Sequence, residues 1–193
     1  MNRFYFFVVL LGSIYWYRSD SNEPVLSAAQ ETETSLHTIS IKGNTSYVQQ
    51  VNLCLDTLAS RSKQDYDFVV EHIGIISQNS RSGMNAWENP PRYDMSDQTA
   101  FASASWCAST IAHDAYHSFL YIKHRTSPSK RTEYDLWGGF DAEREAIAYQ
   151  LQTALRIGSP PHEIDYLKSL DGTHGDVNGD GKLTSEDYKA RNW

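Results

Sequence analysis

Residues 104–124 read "ASWCASTIAHDAYHSFLYIKH", and the fold of the whole chain turns on how this stretch is read. Ile111, Ala112, Tyr116, Phe119 and Leu120 recur at helical spacing, which predicts a helix over residues 106–124 that buries this face. Positions four apart share a helix face, so His113 and His117 can turn two imidazole nitrogens toward one metal ion. Two histidines at this spacing also arise by chance. A metal site therefore needs a further ligand from elsewhere in the chain.

His124 is on the same predicted helix, but it sits about 16 Å from His113 along the axis at ~1.5 Å per residue, and no glycine in "SFLYIK" breaks the helix between them. The carboxylates of the next predicted helix are better placed. "WGGFDAEREAIAYQLQTALRIG" reads as a helix capped near Asp141 and stopped at Gly158. Along it Glu143 shares a face with Ala146, Ile147, Gln150, Leu151 and Ala154, whereas Glu145 shares one with Tyr149, Gln152 and Arg156. A glutamate on an apolar face is costly to bury unless paired or bound to metal. Glu143 is thus the expected third ligand, with Glu145 as the alternative.

Upstream, "HTISIKG" alternates as a half-buried strand does, and "NTSYVQQVNLCLDTLAS" opens with capping residues and sets Val48, Val51, Leu55 and Leu58 at helical spacing. "DFVVEHIGIIS" is rich in β-branched residues and reads as a second strand. Residues 79–97, with Gly83, Pro90 and Pro91, read as a loop or short edge strand, and "QTAFASASW" as another edge strand or the lead into the 106–124 helix. "PPHEIDYLKSL" predicts one more short helix. Strands followed by helices imply an α+β domain with a small mixed sheet, over residues 37–170.

The 193-residue chain is acidic, with 24 acids against 17 bases and a net charge of −7, and has no long basic run, which argues against a nucleic-acid partner. Its first segment differs from the rest: Arg3 precedes an apolar run from Phe4 to Tyr17, and Arg18 follows it. Residues 1–20 have the layout of an export signal, either cleaved or kept as a membrane anchor, and 21–36 read as a polar linker. The expected location is therefore outside the cytoplasm, secreted or membrane-anchored. Export permits a disulfide, and Cys54 and Cys107 are the chain's two cysteines; they are either that bridge or two buried thiols.

"DVNGDGKLTSED", residues 176–187, spaces Asp176, Asn178, Asp180, the Lys182 carbonyl and Asp187 as positions 1, 3, 5, 7 and 12 of an EF-hand loop, with Gly181 at the sharp turn. Residues 171–193 are accordingly expected to be a calcium-binding tail. Aspartate at the twelfth position resembles the calcium loop of dockerin modules, although those carry two such loops and this chain has one.

The pair His113 and His117, an acid directly after the first histidine, and "EREA" at 143–146 on a second helix together resemble the gluzincin class of zinc metallopeptidases over roughly residues 100–157. That resemblance implies a zincin-like α+β fold with an edge strand beside the zinc helix, zinc held by His113, His117 and Glu143, and Asp114 as the general base acting on a peptide or protein substrate. Such enzymes carry glutamate where this chain has Asp114, whose carboxylate reaches on the order of 1–1.5 Å less far. Two other readings follow: a catalytically silent zincin-like domain that uses metal for structure or partner binding, and a calcium-dependent interaction module in which "HDAYH" is incidental.

Overall fold

The computed structural model describes residues 32–33 and 38–190. The apolar run at 1–20 and most of the 21–36 linker lie outside the described residues, and no described helix is long and apolar enough to cross a membrane. Within the expected linker, strand β1 (Thr32–Glu33) pairs antiparallel with β2 (Ser40–Gly43), Thr32 opposite Gly43. Glu31–Trp193 forms one compact unit.

Helix α1 (Thr45–Arg61) follows β2 directly. Asn44 caps it, the Asn44 side chain accepting from the Tyr47 amide at 2.9 Å. Its buried face is Tyr47, Val48, Val51, Cys54, Leu55 and Leu58. Helix α2 (Lys63–His72) comes next and corrects the reading of "DFVVEHIGIIS" as one strand: only its end belongs to β3 (Ile75–Asn79). Asp65, Val69 and His72 are the buried positions of α2, a spacing of four and three. Phe68 stands among the rings of Tyr116, Phe119 and Tyr149. That tertiary contact overrides the local β preference of Val69, Val70 and their neighbours.

The sheet order is β1-β2-β3-β5-β4, with β4 at Gly83–Asn85 and β5 at Arg92–Ser96. β2, β3 and β5 run parallel, Ser40 opposite Ile75 and Ile75 opposite Arg92; β4 is antiparallel to β5, Gly83 opposite Asp94. The stretch expected to be a loop or edge strand thus contributes two strands, one of them interior. Tyr93 and Met95 of β5 are buried in the core. Strands and helices also interleave along the chain, unlike the strands-then-helices order expected, because parallel β2 and β3 need a crossover and α1 and α2 supply it.

A single helical turn, α3 (Asp97–Ala100), replaces the strand considered for "QTAFASASW". Ser103 then caps α4 (Ala104–Lys123), accepting from the Trp106 amide at 2.8 Å. Small residues on α4, Ala108, Ala112 and Ala115, are fully buried and let its neighbours approach closely. After the short α5 (Asp135–Gly138) comes α6 (Phe140–Ile157), which ends at Gly158 with φ 74°, a left-handed cap that suits glycine. α7 (Pro161–Ser169) and α8 (Ser185–Ala190) complete the chain order. Cys54 of α1 and Cys107 of α4 form a disulfide, with Cα atoms 5.7 Å apart.

Candidate metal centre

His113 and His117 leave α4 on one face, toward α6, and Glu143 leaves the first turn of α6 toward them. His113 Nε2 and His117 Nε2 are 3.0 Å apart, and each meets one carboxylate oxygen of Glu143 at 3.5 Å. Ligands about 2.0–2.1 Å from a tetrahedral zinc are themselves about 3.3 Å apart. The three side chains match that spacing before any ion is added. Among the described residues this is the one group of three or more His, Cys, Asp or Glu side chains gathered tightly enough to hold a metal ion.

The imidazole of His117 has a defined tautomer. Its Nδ1 is 2.6 Å from the Trp137 carbonyl, which can only accept, so Nδ1 carries hydrogen and the Nε2 lone pair of the neutral ring points into the cluster. Nδ1 of His113 is buried and has no hydrogen-bond partner among the described residues. His113 is therefore anchored only through the nitrogen that faces the cluster.

Charge is concentrated here. Burial alone would push the Glu143 carboxyl up, but His117 and His113 outweigh it and hold the group well below the usual carboxylate range. Burial would likewise lower His117, yet Glu143 and then Asp114 raise it above the ordinary imidazole value. The cluster is thus a carboxylate facing a proton-holding imidazole, and a divalent ion bound there would have to displace that proton.

Asp114 follows His113 and is buried at the edge of the same cavity, about 840 Å³ in volume, that holds the three clustered side chains. Burial raises its carboxyl, against the lowering effect of His113, His117 and the Tyr93 hydroxyl beside it. Tyr93 is fully buried on β5 and also engages Thr110 and Ser82. Sequence reasoning missed this residue, since nothing in residues 79–97 shows that β5 passes under α4; the alternation of Tyr93 and Met95 with polar neighbours is the signal that would have found the strand.

The alternative carboxylate, Glu145, is exposed and accepts from the Tyr116 hydroxyl at 3.1 Å, away from the cluster. His124 is the C-cap of α4 and takes no part in the cluster. In the C-terminal loop Asp176 accepts from the Gly179, Asp180 and Gly181 amides, and Asp187 from Val177, Asn178 and Thr184. Asn178 and Asp180 take amides of the same turn, of Asp180 and Lys182 respectively. Gly179 and Gly181 both have positive φ. The chain matches no protein-family model, no curated protein and no solved structure.

Proposed function

We propose that the chain is a zinc-dependent hydrolase of peptide bonds with a zincin-like fold, exported by its N-terminal segment and stabilised by calcium in its C-terminal loop. The observation that carries the reading is the convergence of His113, His117 and Glu143, with Asp114, in one cavity bordered by the antiparallel edge strand β4. A zinc ion held by those three side chains supplies Lewis acidity to a carbonyl oxygen and lowers the pKa of water.

The other steps fall to the chain itself. Asp114 takes the proton from the attacking water and returns it to the leaving amine, a role favoured by the burial that raises its carboxyl above the ordinary carboxylate value. The Tyr93 hydroxyl holds that carboxylate in place from β5. Glu143 keeps the two imidazoles facing each other, and the Trp137 carbonyl fixes the tautomer of His117. β4 is the outermost strand of the sheet and offers its backbone to an extended substrate, as edge strands do in strand addition.

A second reading, a metal-holding domain without hydrolytic activity, is favoured by Asp114 standing where a longer acid would reach farther. Metal analysis and peptide cleavage separate the two. Purified protein should hold one zinc per chain and cleave a mixed peptide library in a chelator-sensitive way. Zinc at full occupancy without cleavage selects the second reading, and no stoichiometric zinc refutes both.

A further inference from the structure

Aromatic rings surround the cavity of the metal cluster, and no lysine or arginine is among its described lining residues. Its two carboxylates, Asp114 and Glu143, both belong to the centre itself. The rings form two separate groups. Trp106 lies on α4 seven residues before His113, on the same face and about 10 Å away along the axis. It packs against Tyr166 of α7 with ring centroids 5.6 Å apart. At the other end, beside His117, Trp137 packs edge-on against Trp87 at 5.8 Å and Tyr134 at 5.2 Å. Arg131 stacks on Trp87 at 4.9 Å and fixes that ring.

Trp87, Tyr134 and Tyr166 remain 38%, 43% and 51% exposed, although their neighbours in each group are half-buried or buried. Rings held partly open beside a cavity supply contact area to a ligand at little entropic cost. A charged side chain seated among these rings would lose hydration, and the lining offers it no lysine or arginine and no carboxylate outside the centre; Arg131, stacked on Trp87, is not among the lining residues. Met84 of β4 also borders the cavity, so an extended main chain along that strand would enter the same cavity as both ring groups.

We infer that the cleft takes an extended, uncharged polypeptide segment with large apolar or aromatic side chains on both sides of the metal cluster, one against Trp106 and Tyr166 and one against Trp87 and Trp137. This rests on the hydrolase reading for the identity of the site and adds its substrate class. Polypeptide is favoured over a neutral oligosaccharide because the outer edge of β4, to which no strand among the described residues is paired, matches a main chain.

Binding is measured by calorimetry and tryptophan fluorescence on zinc-loaded Asp114→Asn protein, so that peptide is not consumed. The probes are end-blocked octapeptides carrying Phe, Glu or Lys at two central positions, and a neutral oligosaccharide. The Phe peptide should bind at least tenfold tighter than the Glu and Lys forms. Trp87→Ala and Tyr166→Ala should each weaken it severalfold while the protein still unfolds cooperatively and holds its zinc.

Equal affinity for the charged peptides, affinity indifferent to both variants, or binding of the oligosaccharide alone would overturn the inference. The peptide series decides the matter even if a variant folds poorly. Wild-type cleavage of the same peptides separates this inference from the hydrolase reading. Preferential binding without cleavage removes the hydrolase and leaves the subsites. Cleavage flanked indifferently by charged residues does the reverse.

Discussion

Under the proposed function, Asp114 is the residue on which hydrolysis would depend and metal binding would not. Its carboxylate lies beside the cluster without being one of its three members. Asp114→Asn should therefore keep one zinc per chain while lowering peptide cleavage by roughly 10²–10⁴-fold, the range for loss of a general base. A loss of zinc in that variant would instead make Asp114 a ligand. By contrast, Glu143→Gln should lower metal occupancy and activity together, measured by zinc content after dialysis against a weak chelator. Glu143 was legible in the sequence because helical phase alone places it on the buried face of α6, with Ala146, Ile147, Gln150 and Ala154. Tyr93 was not. It lies 21 residues before Asp114 on a different element, and only the packing of β5 beneath α4 brings the two together.

At the scale of elements, α2 shows where local pattern misleads. Asp65 is fully buried in its first turn, and Arg156 of α6 donates to both its carboxylate oxygens at 2.7 and 2.8 Å; Ser62 and Tyr149 donate to it as well. This network holds the short helix against α6, and it was invisible in a sequence where Asp65 and Arg156 are 91 residues apart. Burial pushes the Asp65 carboxyl up, but the hydrogen bonds from Arg156 and Ser62 outweigh it and leave the group below the ordinary range.

A carboxyl depressed in the folded state stabilises the fold above its unfolded value of about 3.9, and that contribution is lost as pH falls toward the folded value. Asp65→Asn should therefore unfold at lower urea than wild type at pH 7, by roughly 2–3 kcal/mol, since Arg156 is about a third exposed and a fully buried pair would cost more. The gap should narrow below about pH 4. A difference that stays constant across that range would refute the assignment. The Cys54–Cys107 bridge acts between α1 and α4 in another way. With its ends 53 positions apart in sequence, loop entropy predicts a loss of about 4 kcal/mol on reduction, seen as a lower denaturation midpoint in dithiothreitol.

The whole molecule joins the two sites that the sequence presents as separate. The EF-hand-like spacing was legible because its oxygen-bearing residues fall within twelve positions, whereas the part of the protein this segment packs against was not. Leu183 is buried, and Tyr188 of α8 lies so close over β4 that a Cβ added to Gly83 would come within 2.6 Å of its ring. Thr184 and Tyr188 border the cavity that holds His113, His117 and Glu143. The C-terminal segment is thus one wall of the cleft.

Ordering of that wall by calcium should be felt by the whole unit. For a site of ~0.1–1 mM affinity, 5 mM calcium stabilises by about 1–2 kcal/mol. For a chain of this size that corresponds to a rise in melting temperature of roughly 2–8 °C. Asp176, whose carboxylate gathers three amides of the turn, should be required: Asp176→Ala should abolish the shift and leave zinc content unchanged. A calcium response that survives Asp176→Ala would place the ion elsewhere. An absent response in the wild type would leave these acids as caps of the turn and of α8, with the burial of Leu183 and the packing of Tyr188 on Gly83 holding the tail.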